Sequence, residues 1–463
     1  MTDRISTGSP RLDEVLHGGL LKNAVNLITG VPGSGKTILS QQAVFKNATK
    51  GHPALFLTTL SEPLDKVVRY GESLEFFDPA AIREGRVVYG DVGTDGEEEG
   101  IDAILRKFDR FLKETRPGLV VIDGVRSLQT MAANAAAYRQ FLFSMLRRLT
   151  ATATTAVWNA PYKRGEVLDQ PEAAIADSII SLDVKQVGER ETRVVQVLKL
   201  RGSSYRTGEH MYRITSHGLD VFPRLAEPQV EAPYELSESR AGTGIGALDE
   251  LLAGGGYWSG VATLVAGPTG IGKTLMGLHF LYHGAEAGER GVLATFQENR
   301  TQLQRIVSSF GWSTEDPNVQ ILSRGVVDLN IDEWVYELIE LVEKTAARRV
   351  VIDSLLDLAA SAGDIVRFRE WMFSLTQRCT RAGISLMMIM EAPELFQLQR
   401  ISEHGISHLA DNVILLQYVQ EGAELVRALT VLKTRAMRHQ PMVRRYTITD
   451  EGLTLGDVIA VVR

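Results

Sequence analysis

The chain has 463 residues, 44% of them hydrophobic, a length that outruns one ordinary core and suits two domains of about 200 residues each. Lys+Arg 50 against Asp+Glu 57 gives a net charge of -7 with no long basic block, which argues against a general affinity for nucleic acid or other polyanions. A single cysteine, Cys379, excludes an intrachain disulfide, and the lack of a signal-peptide core or an apolar run of about 18 residues leads us to expect a cytoplasmic protein off the membrane.

In chain order, the segment from Thr7 to Leu16 is the first half of a repeat, because Thr243 to Leu252 carries nearly the same residues, and both run into glycines. An apolar strand, Val25-Asn26-Leu27-Ile28, then leads into Gly30-Val31-Pro32-Gly33-Ser34-Gly35-Lys36-Thr37, and an apolar helix follows from Ile38 to Phe45. The second copy is Val261 to Val265, then Gly267-Pro268-Thr269-Gly270-Ile271-Gly272-Lys273-Thr274, then Leu275 to Leu281. In each, glycines let successive backbone N–H groups converge on phosphate oxygens, and the helix start adds the positive end of its dipole. Lys36 and Lys273 are read as reaching the β- and γ-phosphates of ATP, and Thr37 and Thr274 as offering hydroxyls to Mg²⁺.

Further along, Leu119-Val120-Val121-Ile122-Asp123 matches Val350-Val351-Ile352-Asp353, and these aspartates are the expected holders of the magnesium water shell. Lys199-Leu200-Arg201 likewise matches Lys433-Thr434-Arg435. Lys36 and Lys273 lie 237 positions apart, Asp123 and Asp353 230, and Lys199 and Lys433 234. The near-constant offset marks a duplicated domain. The Pro- and Glu-rich stretch from Ala226 to Pro233 reads as a linker, so the expected division is 1–225, a linker over 226–239, and 240–463. Short β-branched runs alternate with helical patterns such as Ala103 to Leu112 and Tyr138 to Leu149. The expected class is therefore α/β: two tandem P-loop domains, each a mostly parallel twisted sheet flanked by helices.

The duplicated opening, the two loops, Leu198 to Glu209, Glu298 to Leu303 and Asp411 to Val419 make the chain resemble the family of the circadian clock protein KaiC and its bacterial relatives, over nearly its whole length. The resemblance implies that the two tandem P-loop domains are RecA-like, and it implies a homo-oligomer, a double-ring hexamer with ATP between neighbouring subunits, slow hydrolysis and Ser/Thr autophosphorylation. It places Lys199, Arg201, Lys433 and Arg435 across the interface, on the γ-phosphate of the neighbour's ATP. The alternative for those cations is a basic edge strand facing solvent.

Where the family carries a Glu-Glu pair after the strand that follows the P-loop helix, the repeats diverge. The first has Leu60 and Ser61, with Glu62 one step later; the second has Gln297 and Glu298. Gln297 can orient a water but cannot take its proton, whereas Glu298 can, so turnover is expected mainly at the second site. For Glu298 the alternative is a surface or helix N-terminal charge. The family's phosphoacceptor pair falls on Ser407 and His408, leaving Ser407 as the candidate phosphosite. The chain ends at Arg463, short of the tail that binds the activator KaiA in the clock protein. That partner is therefore not expected, and a KaiB-like partner stays open.

Three functional readings follow: a ring-forming ATPase that acts as a signalling or timing switch with Ser/Thr autokinase activity, a non-hydrolysing nucleotide-gated scaffold, and a RecA-like DNA motor. The acidic balance argues against the last.

Overall fold

The computed structural model describes residues 3–59, 64–93, 100–187, 190–225, 237–252, 254–327, 329–392, 408–435 and 438–459. The chain divides into two compact units, Met1–Arg224 and Leu225–Arg463.

The N-terminal unit is built on a nine-stranded sheet. Its strands are β1 (Val25–Gly30), β2 (Ala54–Thr58), β3 (Val87–Asp91), β4 (Leu119–Asp123), β5 (Thr155–Ala160), β6 (Ser178–Val187), β7 (Arg190–Leu200), β8 (His210–Thr215) and β9 (Gly218–Phe222). They lie in the order β9-β8-β7-β6-β1-β5-β4-β2-β3. From β3 to β6 every pairing is parallel, and β6 to β9 close the sheet as an antiparallel meander.

The parallel strands are apolar at consecutive positions because both faces are covered. On one face Val121 of β4 packs with Ile28, Phe56 and the helix α1 (Lys36–Asn47) through Leu39, Ala43 and Val44. On the other, Val120 and Ile122 pack with Leu27 and Leu55 against α2 (Ile101–Thr115) and α3 (Ala135–Ala151), through Ile104, Phe108 and Leu142. The alternation follows from the two-residue period of a strand.

The C-terminal unit repeats this plan. Its strands are β10 (Ala262–Gly267), β11 (Gly291–Thr295), β12 (Val319–Ser323), β13 (Arg349–Asp353), β14 (Ser385–Glu391), β15 (Asn412–Glu421), β16 (Glu424–Lys433), β17 (Arg444–Thr449) and β18 (Gly452–Val458). Their order is β12-β11-β13-β14-β10-β15-β16-β17-β18, the same arrangement as in the first unit, with the same split into parallel and antiparallel pairings. Helices α4 (Lys273–Glu286), α5 (Arg300–Ser308), α6 (Ile331–Thr345), α7 (Leu355–Ala362) and α8 (Ile365–Arg381) cover its faces. The class expected from the sequence is the one found.

One buried contact of the second unit makes its stability depend on pH. His279 of α4 accepts a hydrogen bond from the Leu453 backbone N–H at 3.0 Å and meets Trp312 edge-on at 4.9 Å. Burial, with a smaller push from His283, lowers its pKa from 6.5 to about 4. The unfolded chain therefore binds a proton that the folded unit refuses, so the His279 contribution is whole above pH 6.5 and is lost as pH falls towards 4. The loss amounts to about 3 kcal/mol. Urea unfolding at pH 7.5 and pH 5 should show about 2 kcal/mol of it, since pH 5 lies part-way down the transition, and His279→Asn should flatten the difference; an unchanged pH dependence in the variant would remove His279 as its source.

Candidate functional site

Each phosphate loop joins the central parallel strand of its sheet to the helix that follows. In the first unit β1 ends at Gly30 and α1 begins at Lys36; in the second β10 ends at Gly267 and α4 begins at Lys273. The residue capping each helix is a glycine in the left-handed region, Gly35 with φ +92 and Gly272 with φ +108. A Cβ at either would fall 2.9 Å from an isoleucine side chain, Ile214 or Ile448. Glycine is thus required twice over, by backbone conformation and by close approach. Gly33 and Gly270 also have positive φ, with open space where a side chain would begin.

The isoleucines belong to a support that the sequence reading missed. Tyr212 of β8 donates its hydroxyl to the Ser34 carbonyl at 2.6 Å, and Tyr446 of β17 donates to the Ile271 carbonyl at 2.5 Å. The Tyr-x-Ile pairs Tyr212/Ile214 and Tyr446/Ile448 brace the two loops from beneath. Their 234-residue spacing, the same as that of the Lys-x-Arg pairs, was the available signal.

The loop lysines are anchored on their own loops. Lys36 Nζ donates to the carbonyls of Gly30 (2.8 Å) and Val31 (3.0 Å), and Lys273 Nζ to that of Pro268 (2.8 Å). Burial pushes the Lys273 ammonium below its ordinary range, while the Glu391 and Asp353 carboxylates pull it back.

Beside each loop a hydroxyl and a carboxylate meet. Thr37 Oγ1 donates to Asp123 Oδ2 at 2.8 Å, and Thr274 Oγ1 to Asp353 Oδ2 at 2.6 Å. This pair of hard oxygen donors fits Mg²⁺, which keeps much of its water shell and takes its remaining ligands from phosphate. When bound, the ion would neutralise charge on the β- and γ-phosphates.

The two aspartates differ in support. Asp123 Oδ1 accepts a bond from Asn159 Nδ2 at 3.0 Å, and Asn159 is itself held by Ser40 at 2.9 Å. At the matching place on β14 stands the apolar Ile389. Burial raises the Asp353 carboxyl to about 6, the Thr274 bond opposes this, and nearby Glu298 adds to it.

The first site opens into a cavity of about 670 Å³. Gly33, Lys36, Thr37, Asp123, Asn159 and Pro161 line its phosphate end; Val67, Tyr70, Leu74 and Ile214 wall the remainder. A polar end with an apolar wall suits a phosphate tail and a base. Lys36 is the one cation among the described residues that line it.

At the second site the strand register places Thr295 opposite Asp353, as it places Thr58 opposite Asp123. Gln297 and Glu298 therefore follow the strand that flanks the aspartate, at the positions where the first unit has Leu60 and Ser61. Glu298 precedes Asn299, the N-cap of α5, rather than lying in the helix, and its Oε2 accepts the Thr295 hydroxyl at 2.8 Å. Gln297 is exposed and donates to Asp357 at 3.2 Å. Leu60, Ser61, Glu62 and Ser407 lie outside the described residues.

Lys199 and Arg201 sit at and just beyond the end of β7, and Lys433 and Arg435 likewise at β16; both strands have a neighbour on each side in their sheets, but the pairings with β8 and β17 reach only Val195 and Leu429, short of the cations. Lys199 pairs in register with Ile179 near the start of β6, whose Ser178 lies beside Asn26 near the start of β1. The cations thus occupy the sheet end opposite the loop of their own unit, on the order of 15 Å of strand away. There Lys199 donates to the Ala173 carbonyl at 3.0 Å and Arg201 pairs with Asp177 at 3.3 Å; Lys433 donates to Ala410 at 2.7 Å and Arg435 pairs with Asp411 at 3.4 Å. The two aspartates, given no role from the sequence, also accept the N–H groups of Val25 and Ala262, both at 3.1 Å, and so hold the cations to the foot of the central strand.

Duplicated sheets carrying two phosphate loops, each with its Thr-Asp pair, define a tandem RecA-like P-loop protein. The model of the KaiC ATPase family matches residues 5–226 and 241–458, and the chain belongs to that family. Among curated relatives it is 28% identical to the circadian clock oscillator protein KaiC of Picosynechococcus sp., over 98% of this chain and 90% of the relative. It is 28% identical to that of Synechococcus elongatus (96% and 87%) and 29% identical to that of Thermosynechococcus vestitus (98% and 89%). Among the described residues no helix is long and apolar enough to cross a membrane, and no group of three or more His, Cys, Asp or Glu could hold a metal ion.

Proposed function

We propose that this chain is an Mg-ATP-dependent ATPase whose subunits close into a ring, a hexamer if the resemblance drawn from the sequence holds, with nucleotide at both tiers of subunit interface, and that the ring acts as a signalling or timing switch. The observation that carries the reading is the placement of Lys199, Arg201, Lys433 and Arg435 at the sheet end away from their own loops. A cation there cannot serve its own γ-phosphate and is well placed to serve that of a neighbour. Such a cation would tie two chains together in the bound state and neutralise charge in the transition state. Domains 1–225 and 240–463 joined by 226–239 would form the two tiers. The supporting test is mass in solution: light scattering should report a multiple of the 51.0 kDa chain with saturating Mg-ATP and smaller species with ADP. A monomer in Mg-ATP rejects the ring.

Within this reading Glu298 is the general base of the second site, and Gln297 orients the water. Self-phosphorylation of Ser407 is its finer branch, tested by mapping phosphate after incubation with labelled ATP; phosphate found only elsewhere removes it. A nucleotide-gated scaffold is favoured by one observation, the replacement of both paired carboxylates by Leu60 and Ser61 in the first unit. Bound ATP that survives for days at both sites would select it.

A further inference from the structure

The second phosphate loop has a charged neighbour at the position where the first has proline. In the register of β10 with β14, Gly267, the first residue of the loop, stands beside Glu391, and the Ala392 N–H donates to the Gly267 carbonyl at 3.0 Å. The Thr269 hydroxyl within the loop donates to Glu391 Oε1. Glu391 is also the first carboxylate acting on the Lys273 ammonium, ahead of Asp353. Strand β14 lies between the loop strand β10 and the aspartate strand β13, so its last residue faces the gap between loop and Asp353. In the first unit Thr29 pairs with Ala160, so the next residue, Pro161, takes the place of Glu391 on the cavity wall.

We infer that Glu391 is an internal anion of the C-terminal site: it holds the loop's Thr269 and faces its Lys273, and the terminal phosphate of a nucleotide must displace or oppose it. A diphosphate, one negative group shorter, meets less of this repulsion. The C-terminal site should therefore favour ADP over ATP more than the N-terminal site, where proline carries no charge. Two like charges within about 6 Å in a partly screened site change the ratio of affinities roughly tenfold. The inference rests on nucleotide binding at the second loop but not on hydrolysis.

The experiment is equilibrium titration of the full chain, fitted as two sites, with ADP and with a non-hydrolysable ATP analogue. Glu391→Gln keeps the shape and removes the charge; it should raise the preference of one site for the triphosphate about tenfold. Pro161→Glu, which adds the charge to the first unit, should lower the preference of the other site and carries the test if Glu391→Gln does not fold. Ratios unchanged within about twofold in variants that keep the wild-type melting temperature overturn the inference. So does an unchanged ratio accompanied by slower ADP release from ATP, which would make Glu391 a base instead. Absence of turnover in the wild type would sink the ATPase reading and leave this measurement intact, because the analogue is not hydrolysed. A second loop that binds neither nucleotide in wild-type and Glu391→Gln protein sinks both.

Discussion

Glu298→Gln should reduce steady-state ADP release by about 10²- to 10⁴-fold at the second site while leaving nucleotide-dependent assembly intact. The substitution keeps the size of the side chain and its ability to accept the Thr295 hydroxyl, so local structure is preserved. What is lost is a group that can take a proton from water. Binding would depend on the loop backbone, Lys273 and the Thr274–Asp353 pair, whose hydrogen bonds the substitution leaves in place; it removes only the push that the Glu298 charge exerts on the Asp353 carboxyl. If Leu60 and Ser61 leave the first site without a base, most of the turnover of the whole chain should disappear. The rival is Glu62: should Glu62→Gln silence the enzyme while Glu298→Gln does not, the division of labour runs the other way.

Lys36→Ala should weaken ring assembly strongly while sparing per-site turnover at the C-terminal loop in any rings that form. Removing the ammonium takes away the point charge on the β- and γ-phosphates, and with them the anion that Lys199 and Arg201 of a neighbour would grip. Loss of one charge-assisted contact to phosphate commonly costs about 1.5–3 kcal/mol, or roughly 10- to 150-fold in affinity. Sedimentation at fixed Mg-ATP should show the ring population fall, and raising the ATP concentration should restore part of it. Full assembly by Lys36→Ala at wild-type ATP concentrations would mean that the first site does not act as the clamp.

The asymmetry behind both expectations was partly legible in the chain. The carboxylate difference is contiguous text, Leu60-Ser61 against Gln297-Glu298, and strand register sets Thr58 and Thr295, which precede the two pairs in the chain, beside Asp123 and Asp353. The Asn159 against Ile389 difference was not legible, because Asn159 matters only through its bond to Asp123, 36 residues away on a neighbouring strand. Nothing in a single strand's pattern says which of its polar residues faces an aspartate on the next.

By itself the sequence determined the duplication, the two loops, their lysines and threonines, the strand-ending aspartates and the family. These rest on contiguous segments, since a phosphate nest is made by consecutive backbone groups and a buried parallel strand by consecutive apolar residues. Only the tertiary structure decided what stands beneath and beside the loops: Tyr212 and Tyr446 from strands about 175 residues downstream, and Glu391 from a strand more than 120 residues away. It also decided that the Lys-x-Arg pairs lie at the far end of their own sheets. That placement comes from strand order and from the reversal of direction between β6 and β7, or β15 and β16. Local residue pattern carries the period of a strand but not its neighbours or its direction in the sheet, and the side to which these cations point depends on both.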